Sequence, residues 1–280
     1  MRVLLAGCLG QLGRTVQETW REHELIVPSE AEFDITDWPT AWRVVRETKP
    51  DVVINAAAYT DVDGCEANPE LAYKVNALGP RNLASACLLA GAALVHISTN
   101  CVFDGTSTRP YLEFDPPNPI SVYGASKQAG DDAVRAVLPR HYIVRTAWLY
   151  SRLGRNFVKT ILRLARERPS LSMVADEVST PTYAPDLALA LQALIREPLY
   201  GTYHFTNSGE CSRLQFAAEI LRLAGKADFR LVPISLADYP RPSRPPLYST
   251  LRNTCGAAIG ITLRPWQAAL AELVPELLAQ

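Results

Sequence analysis

Residues 2–7, RVLLAG, form a short continuous apolar run that opens into three glycines, Gly7, Gly10 and Gly13, before the helical pattern QLGRTVQETWREH. A strand that feeds a glycine turn and then a helix has few ways to continue. The rest of the first half continues in the same rhythm. LIVPS, DVVINAAA, ALVHIST and HYIVRTAWLY are further strand-like runs. Between them lie TAWRVVRETKP, NPELAYKVNALGPRNLASACLLAG and VYGASKQAGDDAVRAV, which carry helical periodicity. Continuous apolar runs are strands buried on both faces, and strand–helix–strand repetition implies a parallel sheet with right-handed crossovers. The expected fold class is α/β, a Rossmann-type doubly wound parallel sheet. After about residue 148 the rhythm loosens into three amphipathic helices and the proline-rich stretch PISLADYPRPSRPPLYSTLRN, an ordered arm. The expected division is a dinucleotide-binding domain over 1–147, with a return from 182–197, and a smaller, mainly substrate-binding domain over 148–280.

Composition narrows the class further. The chain has 280 residues, is 48% hydrophobic and carries a formal net charge of −1. The basic residues form no dense run, which argues against a nucleic-acid partner. The longest apolar stretch, LASACLLAGAALVHI, is interrupted and too short to span a bilayer. No two of the six cysteines sit at Cys-x-x-Cys spacing and no His follows at metal-finger spacing. They read as reduced thiols, and the expected location is the cytoplasm. No metal site is predicted. The sequence does not settle a metal requirement or the oligomeric state, and a homodimer is compatible with it.

The motifs then carry chemistry. Glycines at the first strand-to-helix turn let a pyrophosphate approach the backbone and rest on the helix N-terminus. The turn supplies Gly7, Gly10, Gln11, Leu12 and Gly13 as candidate cofactor contacts. At the end of the next strand, VPSEAEFDITD offers Ser29, Glu30 and Glu32 and no Arg, with Asp34 and Ile35 at the adenine edge. Acidic residues there suit ribose hydroxyls and disfavour a 2′-phosphate, so NADH should be accepted at least as well as NADPH. NAAAYT, ending the third strand, offers small Ala57 and Ala58 and then Tyr59, although tight helix packing selects alanines too. HISTNC, ending the fourth, offers the hydroxyls of Ser98 and Thr99. In SVYGASKQAG, Tyr123 and Lys127 stand four residues apart and share a helix face. An ammonium fixed beside a phenol favours the phenolate, which makes a proton donor usable near neutral pH.

Glycine triplet, NAAA, hydroxyl residue and Tyr-x-x-x-Lys in this order resemble the extended short-chain dehydrogenase/reductases. DVVINAAAYTDVD, ELAYKVNALGPRNLA, VFDG, NPISVYGASKQAGD and RNFVKTILRLA resemble, more narrowly, the dTDP-4-dehydrorhamnose reductase family. The resemblance implies reduction of the 4-keto group of a nucleotide sugar by NADH or NADPH. It implies a catalytic set of Thr99, Tyr123 and Lys127, the last two also touching the cofactor. It further implies substrate contacts at Thr99, Asn100, Cys101, Trp148, Asn156 and Lys159. An Arg-Pro motif would fall on Arg241 or Arg244. Two departures stand out. The family usually has Ser-Thr-Asp-Tyr before VFDG, where this chain has Ser98, Thr99, Asn100 and Cys101, and it often has Arg near position 30, where this chain has Glu30. A 4,6-dehydratase needs an Asp-Glu pair after the Thr, which this chain lacks. The alternatives kept open are another nucleotide-sugar reductase or epimerase, and a non-catalytic cofactor-binding subunit like the regulatory subunit of methionine adenosyltransferase.

Overall fold

Successive residues of a strand point to opposite faces, and the strand Arg2–Ala6 (β1) uses both. Val3 and Leu5 enter one core cluster, and Leu4 and Ala6 another on the far side. The same division runs through Glu24–Ile26 (β2), Val52–Asn55 (β3), Ala93–Thr99 (β4) and His141–Thr146 (β5). In the computed structural model, which describes residues 1–279, these strands and a sixth, Gly201–His204, form one parallel sheet. Its order is β2-β1-β3-β4-β5 and then Gly201–His204. The expected α/β doubly wound sheet is therefore present. The sixth strand, GTYH, lacks a continuous apolar run and is not legible from pattern alone.

Helices cover both faces. Gln11–Thr19 and Ala184–Leu194 pack on the first through Leu12, Val16, Leu187 and Leu191, and Trp20 seals them by donating its indole N–H to the Ala188 carbonyl. Trp38–Thr48, Gly79–Ala90 and Val122–Val137 pack on the second. The long helical stretch 69–90 is broken, as Pro69–Tyr73 leads through a wide turn at Lys74–Leu78 into Gly79–Ala90. The break turns Asn76 inward, where it accepts from the Tyr59 N–H and donates to the Ser126 hydroxyl.

A separate core lies beyond the C-terminal strand ends. Phe157–Glu167, Arg213–Leu223 and Trp266–Leu278 enclose Ile161, Phe216, Ile220, Leu270 and Leu273. Phe216 is its centre, with the rings of Tyr150, Phe157 and Trp266 all within 5.6 Å of it. The proline-rich stretch follows the strand Arg230–Ile234 as an irregular arm. Among the described residues no helix is long and apolar enough to cross a membrane, and all six cysteines are free.

Candidate active site

The sheet order changes direction between β1 and β3, and a crevice opens there at the carboxyl ends of the strands. Gly7 has φ +78°, and a Cβ on it would stand 2.4 Å from the Ala57 nitrogen. Only glycine allows that turn. Gly13 is equally constrained, since a Cβ there would stand 2.2 Å from the Gly7 carbonyl oxygen, whereas one on Gly10 would meet nothing nearer than 3.5 Å. Two glycines thus close the turn and the third leaves room for a ligand. The helix that follows begins at Gln11 with no side-chain cap and no acidic residue in its first turn. Its free N–H groups and positive dipole end are ready for an anion.

Two cavities meet at this turn, sharing Gly10, Ala56 and Ala58. One, of about 580 Å³, runs over Ala57 and Tyr59 to Ser29, Glu30, Asp34 and Ile35. Glu30 faces it. Glu32 is held away, accepting from the Ser29 hydroxyl and N–H. Asp34 closes a local turn by accepting from the N–H and hydroxyl of Thr36. The other cavity, of about 350 Å³, runs over Gln11 and Leu12 to Thr99, Asn100, Tyr123, Lys127, Thr146 and Trp148. An elongated cleft with a glycine and alanine floor and a bare helix N-terminus at its middle fits a dinucleotide.

The Tyr123–Lys127 helix is placed by its small residues. Ser121 caps it by accepting from the Gly124 N–H, and Glu66 accepts from the Val122 N–H. A Cβ on Gly124 would stand 2.1 Å from the Cys101 carbonyl oxygen, and one on Gly130 2.1 Å from that of Asn76. The helix therefore lies directly on the turn after β4, which brings Tyr123 to Thr99. Thr99 accepts from the Cys101 N–H and donates to Asn100 Oδ1 (3.2 Å). Lys127 is buried and donates from Nζ to the Ile97 carbonyl (2.7 Å).

The charge states differ from the expectation that Lys127 lowers the Tyr123 pKa. Burial pushes the phenol well above its ordinary value, and the Thr99 hydroxyl opposes that only in part. The Lys127 ammonium is spent on Ile97 and faces Asp131, and its own pKa is pushed down by burial to about 8. Tyr123 is thus a protonated phenol at neutral pH, poised to give a proton rather than to accept one.

The altered residues after Thr99 have a physical setting. Asn100 is buried, and Nδ2 donates to Ser249 Oγ (2.7 Å) and Ser179 Oγ (3.1 Å). An amide can donate to both hydroxyls, whereas a carboxylate can only accept. Asn100 thereby ties the turn after β4 to the strand Val178–Ser179 and to the segment carrying Ser249. Cys101 is half-buried, and its thiol is pushed up to about 11 by burial.

Trp148 forms one wall of the catalytic end. Its φ of +43° is rare for a bulky residue and costs about 1–3 kcal/mol, held only because the surroundings fix it. The Arg213 guanidinium lies 3.6 Å above the ring and pairs with the largely buried Glu177 (3.0 Å). Arg213 was not among the sequence candidates, because a stacking partner 65 residues away leaves no local pattern. The remaining candidates do not line the cleft. Asn156 caps Phe157–Glu167 by accepting from the Lys159 N–H, and its amide reaches the Gln11 side chain (3.2 Å) and the Ser151 carbonyl (2.6 Å). It bridges the glycine turn to the second core, and Lys159 enters only through its backbone. Arg241 binds Asp63 (3.1 Å), joined there by Ser243, and pins the arm to the helix Val62–Ala67. Arg244 is exposed.

A parallel dinucleotide-type sheet with Thr, Tyr and Lys gathered at its strand ends defines a short-chain dehydrogenase/reductase of the extended type. The chain matches the family described as RmlD substrate binding domain over residues 1–279. It is 42% identical to the dTDP-4-dehydrorhamnose reductase of Mycobacterium tuberculosis, over 96% of this chain and 91% of that one. The crystal structure of a dTDP-4-dehydrorhamnose reductase from Clostridium acetobutylicum superposes with a TM-score of 0.95 at 43% identity, covering 100% of both chains. That of the Bacillus anthracis enzyme in complex with NADP gives 0.94 at 40% identity, over 98% of this chain and 99% of that one. The chain belongs to the dTDP-4-dehydrorhamnose reductase family.

Proposed function

We propose that this chain reduces the 4-keto group of dTDP-4-dehydro-L-rhamnose to give dTDP-L-rhamnose, using NADH or NADPH. The observation that carries the reading is the meeting of Thr99, Tyr123 and Lys127 at one end of a cleft whose middle is a bare helix N-terminus on a glycine turn. Residues 1–147, with the helix inside 182–197, would hold the cofactor, and the chain from 148 onward would hold mainly the sugar nucleotide.

The turn Gly7–Gly13 would receive the pyrophosphate, with Gln11 and Leu12 at the helix start. Asp34, Ile35, Ala57, Ala58 and Tyr59 would surround the adenosine end. When bound, the nicotinamide supplies a hydride to C4 of the sugar. Tyr123 gives its phenolic proton to the oxygen that becomes the new hydroxyl, so that hydride and proton together complete the reduction. Thr99 orients that oxygen by a hydrogen bond, and the Lys127 ammonium favours negative charge as it develops there. Trp148 and Arg213 form the wall beside the sugar. Asn100 borders the same space, with Cys101 the next residue along the turn. Arg241 and Arg244 stand on the arm, and the former is the better anchored.

The acidic lining at Glu30 favours a free ribose hydroxyl over a 2′-phosphate. NADH is therefore expected to serve at least as well as NADPH, although the Bacillus anthracis relative holds NADP. The test is cofactor oxidation by the purified protein with dTDP-4-dehydro-L-rhamnose, run with each cofactor in parallel. Turnover with NADH supports both parts. Absence of turnover with either, in a protein that binds them, would reject the reductase reading.

A further inference from the structure

One buried ionic group lies behind the wall of the cleft and is tied to it through Ser98. Asp131 follows Lys127 by one helical turn, on the same face, and is fully buried. The Ser98 hydroxyl donates to its Oδ2 (2.9 Å), and Arg145 Nε lies 3.5 Å from that same oxygen. His96 Nε2 is 3.5 Å from Oδ1. One carboxylate thus joins the catalytic helix to β4, at the residue before Thr99, and to β5, at the residue before Thr146.

The surrounding charges make this carboxylate the counter-ion of the site. On its own helix stand Lys127 and Tyr123, with Arg135 a turn further on. β4 contributes His96, whose ring burial keeps neutral, and β5 contributes Arg145 and His141, the latter also lowered by burial. His204, on the neighbouring strand, is pushed down to about 3 and is neutral as well. Glu66, Cys65 and Cys101 face the other end of the helix, around Tyr123. Two buried cations, Lys127 and Arg145, therefore share one buried anion. Burial raises the Asp131 pKa above its ordinary value and Arg145 and Lys127 oppose that only in part, yet an anion between two cations is the state that balances the cluster.

We propose that Asp131 is the positioning residue of this site: it holds Lys127 as an ammonium and fixes the Tyr123–Lys127 helix against Thr99. The inference rests on the reading of Lys127 as the working cation of the reductase, but its test needs no substrate. The chain has five lysines, Lys49, Lys74, Lys127, Lys159 and Lys226. A protein labelled with ¹³C at lysine Cε reports each ammonium by its own chemical shift, and Lys127→Arg identifies the Lys127 signal. The expected midpoint is about 8 in the wild type. Asp131→Asn should lower it by about one to two pH units, the size of one nearby buried charge removed. Asp131→Glu, which keeps the charge, should restore most of it.

The alkaline limb of turnover should move with the NMR midpoint. An unmoved midpoint in folded Asp131→Asn would overturn the inference, as would a midpoint that Asp131→Glu leaves as low as Asp131→Asn does. If Asp131→Asn does not fold, Ser98→Ala removes one tie to the carboxylate and should lower the midpoint by a few tenths of a unit, a lack of movement again counting against the proposal. A shifted midpoint in a protein that does not turn over would reject the reductase reading and leave this one standing.

Discussion

The floor of the cleft and its roof are built by different means. The floor consists of strand ends and the starts of the helices that follow them. Gly7 follows β1, Asn55 and Thr99 end β3 and β4, and Tyr123 and Lys127 share one helix packed over β4. The backbone fixes each of them, and glycines at 7, 13, 124 and 130 set the distances. The roof consists of side chains held by other side chains. Trp148 is propped by Arg213, Arg213 by Glu177, and the arm by Arg241 on Asp63. In the proposed function, chemistry that needs fixed geometry would sit on the floor, and recognition on the roof. A change in the floor should therefore affect the rate, and one in the roof should affect substrate affinity.

The largest effect expected on the floor is on its charge state. In the proposed reaction Lys127 works as an ammonium, and its midpoint is pushed down to about 8. Turnover should hold below that pH and fall up to tenfold per unit above it, since Tyr123 stays protonated over the same range. A profile that is flat to pH 10 would place the working charge elsewhere. Gly124→Ala sets a methyl 2.1 Å from the Cys101 carbonyl and must move the helix. A loss of about 1–3 kcal/mol in denaturant unfolding is expected, with a lower kcat. If stability and kcat were both unchanged, the close approach would not be what sets Tyr123.

On the roof, Arg213→Ala frees the Trp148 ring. KM for the sugar nucleotide should rise roughly tenfold, about the energy of one desolvated cation–π contact, with cofactor affinity unmoved. A fall in kcat alone would place Trp148 on the floor side of the division. The smallest difference separates the two Arg-Pro pairs. Arg244→Ala should change stability by less than about 0.5 kcal/mol. Arg241→Ala should cost up to about 1 kcal/mol and loosen the arm, because its half-exposed pair with Asp63 is lost. Equal effects of the two, in thermal unfolding and in KM, would remove the reason for preferring Arg241.

The same contrast explains what the amino-acid sequence reveals. The glycine turn, the alanines at 56–58 and the Tyr123–Lys127 spacing are local patterns, and the cleft is built on them. The sheet was legible because five of its strands are continuous apolar runs, while Gly201–His204 is not. The roof is legible only where a motif names it. Trp148 came from resemblance, and Arg213 and Glu177 had no signal, because their contacts join separate segments of the chain. Asn100 shows the limit from the other side. As a departure from the family pattern it suggested altered substrate contacts, yet its amide is engaged with Ser179 and Ser249 while the residue lines the cleft. The sign of the Tyr123 shift was also beyond reach, since spacing reports proximity to Lys127 but not how deeply both groups are buried.

The most direct test of the account is Tyr123→Phe, assayed for NADH and NADPH oxidation with dTDP-4-dehydro-L-rhamnose and, separately, for cofactor binding by fluorescence. With the phenol as the proposed proton donor, turnover should fall roughly 10²–10⁴-fold while cofactor affinity stays within about twofold. Turnover within a few-fold of the unmodified protein would contradict the role given to Tyr123 and, with it, the division between floor and roof.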